Sequence, residues 1–99
     1  MFKLIKIGIT GSTGILGRIL TTLLKKYSYY RIYTYKENIL NIKKLNDWIK
    51  KNQFQIIIHL AALVPIKKAK KNYKLAKQIN FIGTKNLINA IKNYQKKKI

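Results

Sequence analysis

The sequence contains no cysteine, one proline, one histidine and only two acidic residues, Glu37 and Asp47, in 99 positions. Without cysteine there is no disulfide framework and no thiolate metal site, a pattern that fits a reducing compartment. One histidine with two acids cannot build a conventional metal site or a Ser-His-Asp triad. Long apolar runs are missing as well. The longest apolar stretch, 56–66, carries His59 and Pro65 and falls short of the ~20 residues that a spanning helix needs. The start, Met1 to Ile7, alternates apolar and polar residues instead of forming a signal-peptide core. These absences predict a soluble, cytoplasmic protein with no membrane partner and no metal. The length allows one domain with a small core.

What the chain has in excess is positive charge: 22 Lys and Arg give a formal net charge of +20. Such a balance suggests a phosphate-rich partner, but the details argue against nucleic acid. Lysine supplies 20 of the 22 cations and arginine two, whereas arginine is the better bidentate reader of phosphate and guanine. Lys, Asn, Ile, Tyr and Phe, residues with A/T-rich codons, fill 57 positions. A nucleotide bias in the gene produces that excess without selection for a partner, although it leaves the scarcity of Asp and Glu unexplained. The tyrosines between Tyr27 and Tyr35, interleaved with Arg31 and Lys36, superficially suit base stacking; strand propensity favours a tyrosine-rich edge strand. The lysine clusters at 67–77 and 96–98 read as solvated helix faces.

Hydrophobic patterning places three strands and three helices in alternation. Residues 4–10 form a short isoleucine-rich run ending at glycines, the pattern of a buried strand. Residues 15–26 carry Ile15, Leu16, Ile19, Leu20, Leu23 and Leu24 at helical spacing. A second strand is predicted at 31–35, a turn or a very short strand at 38–41, a short helix over 45–51 with Leu45, Trp48 and Ile49 inward, and a third strand over 55–62. A long helix fits 70–96, its apolar stripe running through Leu75, Ile79, Ile82, Gly83, Leu87, Ala90 and Ile91. Strand–helix alternation implies an α/β fold with a parallel sheet and helical crossovers. Three strands make a thin sheet with two open edges, and the last helix ends where a fourth strand would begin. The expectation is a fold that stops before it is finished.

Between the first strand and first helix lies Thr10-Gly11-Ser12-Thr13-Gly14-Ile15-Leu16-Gly17, a G-x-x-G-x-x-G turn. Gly11 permits the tight exit from the strand, Gly14 lets backbone approach a pyrophosphate, and Gly17 lets the helix pack closely. Free N–H groups at the helix start then face the phosphates. Three glycines could equally be a cap with turn residues; the patterned strand and helix around them favour the phosphate reading. A P-loop is disfavoured, since no G-x-x-x-x-G-K-[ST] is present.

A second block follows, Phe54-Gln-Ile-Ile-Ile-His59-Leu-Ala-Ala62-Leu-Val-Pro65, and then Gln78-Ile-Asn80-Phe-Ile-Gly83-Thr84-Lys-Asn-Leu87. With the glycine turn, these blocks resemble the N-terminal part of the extended short-chain dehydrogenase/reductase superfamily. It comprises NAD-dependent epimerases, dehydratases and nucleotide-sugar reductases. The resemblance spans nearly the whole chain. The short second crossover, with Asn38-Ile-Leu-Asn41 ahead of Trp48, is similar to dTDP-4-dehydrorhamnose reductases and their relatives.

The resemblance implies the N-terminal half of a Rossmann-type NAD(P)-binding fold, itself incomplete, with a cofactor, NAD or NADP, and residues to hold it. Gly11, Gly14 and Gly17, with Ser12 and Thr13 between them and the Ile15 and Leu16 amides, would hold the pyrophosphate. Asn38 and Ile39 occupy the family's Asp-plus-apolar position beside adenine, with Asn in place of Asp. Leu60, Ala61 and Ala62 would pass under the nicotinamide-side ribose. Asn80, Gly83 and Thr84 match an N-x-x-G-T helix that locks against the cofactor strand. The second strand closes on Thr34, Tyr35 and Lys36 without an acid, which leans towards NADP with Lys36 near the 2′-phosphate.

The family's Ser or Thr and its Tyr-x-x-x-Lys pair lie beyond the long helix, so no catalytic residue is expected in this chain. Tyr73-Lys-Leu-Ala-Lys77 matches Tyr-x-x-x-Lys by letter but lies one helix too early, and reads as an ordinary surface pair. For His59 a structural or ribose-side role is expected. The implied function is the cofactor-binding portion of an oxidoreductase, epimerase or dehydratase acting on a nucleotide sugar. Alone, the chain would be a fragment, a truncated copy or one piece of a split enzyme, completed by a missing C-terminal half or a homo-oligomer, with weak or absent turnover. The rival reading is a non-catalytic basic module that reuses the fold to hold a polyanion or to sense a dinucleotide.

Overall fold

A computed structural model of the chain describes residues 3–60 and 73–96. Its elements run β1 (Ile5–Thr10), α1 (Ile15–Leu24), β2 (Tyr30–Tyr35), α2 (Ile42–Asn52), β3 (Ile56–His59) and α3 (Tyr73–Tyr94). The sheet is parallel in the order β2-β1-β3, with Ile7 opposite Ile32 on one side and Ile56 on the other. The predicted alternation and the thin parallel sheet are therefore both present. The chain steps from β1 to one neighbour and then crosses back over β1 to the other.

Side-chain alternation assigns the faces of the sheet. A Cβ on Gly8 would meet the rings of Phe54 and Trp48 at 2.9 Å, so even-numbered positions of β1 point towards α2. On that face Tyr35, Leu45, Ile49, Phe54, Leu87 and Ala90 form the core, with Tyr33, Ile39, Trp48 and Ile57 packed around it. Aromatic contacts fill it: the Trp48 and Phe54 ring centroids lie 4.6 Å apart and those of Tyr35 and Trp48 5.2 Å. Lys6, the one charge in β1, stays compatible with this face because its ammonium donates to the Asn52 carbonyl at 2.8 Å and lies over the Tyr33 ring.

Ile7 and Ile9 point to the opposite face and are buried there, the side left to α1. The helical spacing of α1 is as expected, but its burial is not: only Gly17 is buried, and Ile15, Leu16, Ile19 and Leu23 are exposed. Among the described residues nothing lies over that stripe.

Element ends follow local chemistry. The helix α2 begins three residues earlier than the predicted 45, because Asn41 caps it: the side-chain oxygen accepts from the Lys44 N–H at 3.2 Å. It ends in a left-handed residue, Gln53 (φ 54°), whose side chain donates to the Tyr94 carbonyl at 2.8 Å and accepts from the Lys96 N–H at 2.7 Å. Gln95 in turn grips both backbone groups of Phe54, accepting at 3.2 Å and donating at 2.9 Å. Two glutamine amides thus fasten the end of α3 to the entry of β3. The helix α1 stops at Leu24, two residues short of the expected end, and β3 stops at His59 rather than at 62. Ala61 and Ala62, and the predicted helix start at 70–72, lie outside the described residues.

Candidate functional site

The carboxyl ends of all three strands open onto one cleft of about 410 Å³. Its floor is Thr10 and the turn Gly11-Ser12-Thr13-Gly14; one wall is Tyr35 to Ile39 after β2; Leu60 and Ile79 close the other side. Ligands of open α/β sheets bind at such a place, outside the strand ends where the strand order reverses.

The glycine turn is built as its spacing requires. Gly11 has φ 74°, a conformation that costs an L-residue strain and glycine none. The Gly14 N–H returns to the Gly11 carbonyl at 3.3 Å. A Cβ on Gly17 would lie 2.4 Å from the Gly11 carbonyl oxygen and 2.6 Å from Ser12 Cα, so the helix and the turn touch backbone to backbone. A Cβ on Gly14 would meet only the Gly11 oxygen, at 3.7 Å; this position faces open space. Gly14 is the N-cap of α1 and supplies no side-chain cap, unlike Asn41 on α2. The first-turn N–H groups of a helix have no intrahelical acceptor, so those of α1 are left for a group in the cleft. Backbone donors without a side-chain cap, at the positive end of a helix, fit an anionic pyrophosphate.

The wall after β2 is held from behind. The Tyr35 hydroxyl, kept protonated by burial and then by Glu37, donates to the Asn38 carbonyl at 2.9 Å. Asn38 lines the cleft, but its side-chain oxygen accepts from the Leu40 N–H at 2.9 Å, so part of its acceptor capacity serves the turn. Ile39 is pressed against α3: a Cβ on Gly83 would lie 2.7 Å from Ile39 Cγ2, and the Asn86 amide donates to the Ile39 carbonyl at 3.3 Å. Gly83 therefore sets how closely α3 approaches the wall.

His59 ties the three elements together. Its Nδ1 bonds the buried Thr10 hydroxyl and its Nε2 the Thr84 hydroxyl at 3.0 Å. It is not among the residues that line the cleft, and both ring nitrogens are engaged between β1 and α3. Burial lowers its pKa from the usual 6.5. The unfolded chain then takes up the proton first as pH falls. Stability from this group is complete above about pH 6.5, declines below it, and levels off beneath the folded pKa. Denaturant midpoints should therefore drop as the pH falls below about 6.5, and His59→Gln should flatten that slope; an equal slope in the variant would refute the assignment.

Of the residues singled out from sequence, Gly11, Ser12, Thr13, Gly14, Lys36, Asn38, Ile39 and Leu60 line the cleft. Ile15, Leu16 and Gly17 sit behind the turn as the first residues of α1. Asn80 is half-buried on α3 and leaves the wall to its neighbour Ile79. Sequence reading missed Glu37, which lies in the cleft two residues past β2, because the acid was sought at the strand end itself. It also missed Thr10, Tyr35 and Ile79 as cleft residues. Lys77 is exposed on α3, well along the chain from any cleft residue but Ile79, while the Tyr73 side chain lies outside what is described. Among the described residues no group of three potential metal ligands occurs and no helix is long and apolar enough to cross a membrane.

A parallel β-α-β unit with a glycine turn at the strand ends defines a Rossmann-like fold. The sequence profile described as RmlD substrate binding domain matches residues 5–98, and the chain belongs to that family. No curated protein sequence matches it. Among solved structures it is similar to dTDP-4-dehydrorhamnose reductase from Bacillus anthracis, determined with NADP. The identity is 33% over 89% of this chain and 32% of that one, with a TM-score of 0.77. UDP-Glc/GlcNAc 4-epimerase from Campylobacter jejuni shares the fold at 17% identity, over 91% of this chain and 34% of that one, with a TM-score of 0.78. The NAD complex of Thermus thermophilus UDP-glucose 4-epimerase does so at 17% identity, over 91% and 34%, with a TM-score of 0.73. The chain spans about a third of the length of these structures.

Proposed function

We propose that this chain is the dinucleotide-binding portion of an NAD(P)-dependent enzyme acting on a nucleotide sugar. The observation that carries the reading is the uncapped start of α1, set on a glycine turn whose Gly14 leaves its Cβ position open at the cleft. The pyrophosphate would lie on the turn Gly11 to Gly14 and the Ile15 and Leu16 amides, with Gly17 holding the helix close. Asn38 and Ile39 would flank the adenine, and Leu60, followed by Ala61 and Ala62, would pass under the nicotinamide-side ribose. Asn80 would act from behind, through the packing of α3. When bound, the nicotinamide ring supplies hydride transfer. This chain's own residues bind and orient the dinucleotide. Lys36 on the cleft wall suits a 2′-phosphate, which leans the reading to NADP. The solved relative at 33% identity, a dTDP-4-dehydrorhamnose reductase in complex with NADP, supports both the cofactor class and the substrate class.

The test is a fluorescence titration of the full protein with NADPH and NADH. Gly14→Val should retain the fold, since nothing crowds that Cβ, yet weaken binding by at least about tenfold by blocking the phosphates. Undiminished affinity in the variant would refute the reading. Salt separates it from the polyanion alternative. Contacts to 6–10 phosphates would lose about 10³–10⁵ in affinity between 50 and 200 mM salt, whereas binding through backbone amides should change far less.

A further inference from the structure

Glu37 is one of only two acids in the chain, and it lines the cleft beside Lys36, on the wall where the dinucleotide reading puts a ribose. A carboxylate there accepts from a ribose 2′-OH and repels a 2′-phosphate, so Lys36 and Glu37 favour opposite dinucleotides. The structure shows how the conflict is arranged. Lys44, in the first turn of α2, places its ammonium 3.6 Å from Glu37 Oε1, with both side chains about half exposed. A pair so exposed adds little to stability, and its partners can exchange. The same stretch borders a second hollow of about 560 Å³ on the outer side of β2, where Lys43 and Lys44 face Tyr35, Lys36 and Glu37. The two hollows share those three residues, so Lys36 and Glu37 form the ridge between them. Lys44 is the ammonium paired with Glu37; Lys36, Lys43 and Lys51 line the same hollow, together with the chain's other acid, Asp47.

Building on the dinucleotide reading above, we infer that Lys44 is a specificity-determining positioning residue. By engaging Glu37 it withdraws the carboxylate from the ribose 2′-OH and leaves the ridge net positive, selecting a dinucleotide that carries a 2′-phosphate. The 2′-phosphate would compete with Glu37 for Lys44 and be met by Lys36 from the cleft side. No covalent step is involved.

The experiment is to measure dissociation constants of NADPH and NADH for the native protein, Lys44→Gln, Glu37→Gln and the double variant. The native protein should prefer NADPH. Lys44→Gln should shift the NADPH-to-NADH preference towards NADH by about tenfold, the scale of one hydrogen bond to a charged group. Glu37→Gln should shift it the other way, and in that background Lys44→Gln should no longer improve NADH binding. A purely structural role would change both affinities together and leave the ratio fixed. If both dinucleotides bind and the ratio is the same in native protein and Lys44→Gln, the inference is overturned while the cofactor reading stands. If neither binds the native protein, both are overturned.

Discussion

Alanine at position 17 is expected to damage both the first crossover and the cleft. The added methyl would lie 2.4 Å from the Gly11 carbonyl oxygen and 2.6 Å from Ser12 Cα. Both obstacles are main chain, so no rotamer change relieves them. Either α1 moves off the turn or the turn opens. Overpacking of this kind costs about 1–3 kcal/mol, and the displaced helix start no longer aims its N–H groups at the cleft. A lower urea midpoint together with loss of NADPH binding is the expected result. Gly14→Val is the matched control, affecting binding far more than stability. A Gly17→Ala protein with native midpoint and native affinity would show that helix and turn are not in backbone contact.

Phe54→Ala should be more destabilising still. Phe54 is fully buried between Trp48 and Tyr33, beneath Gly8, and Gln95 holds its backbone on both sides. Truncating a buried phenylalanine costs about 3–5 kcal/mol. Whole domains have roughly 0.05–0.15 kcal/mol of stability per residue, so a chain of this size could lose much of its total. Phe81→Ala on α3, where the ring is 68% exposed, should stay within about 0.5 kcal/mol of native. Thermal or urea melts of the two variants give the comparison, and similar losses at both positions would contradict the assigned core.

The alternation of strands and helices was readable from sequence because each element carries its own period. Ile7 and Ile9 on one side of a strand, and Leu45 and Ile49 on one side of a helix, are strong local signals. The start of α2 was misjudged because the signal there is polar: Asn41, a capping residue, precedes the first buried position, Leu45, by four, and Ile42 between them is exposed. The end of β3 was overrun because Leu60 continues the apolar character after the ladder ends. At α1 periodicity and burial part company, since spacing identifies a helix face but not what covers it. The glycine turn was legible because steric rules fix its chemistry. Glu37 was not, since its place in the cleft depends on how the turn Asn38 to Asn41 folds back under Tyr35, and its pairing with Lys44 depends on where α2 begins. His59 is similar: its partners Thr10 and Thr84 come from distant elements, and only the sheet register brings them together.

The position of β1 in the middle of the sheet has a consequence for how the protein is made. β1 leaves the ribosome before either of its partners, so Ile7 must await Tyr30 to Tyr35 on one side and Ile56 on the other. At about 5–20 residues per second, the roughly 50 residues separating β1 from β3 take roughly 3–10 s to synthesise. Through that interval an isoleucine-rich strand has at least one unsatisfied edge. Pairings so distant in sequence also slow folding, because loop closure precedes any gain in contacts. The newborn chain is therefore most open to chaperone capture or self-association before β3 emerges. Nascent chains released before about residue 60 should then be retained by chaperones far more than those released after it.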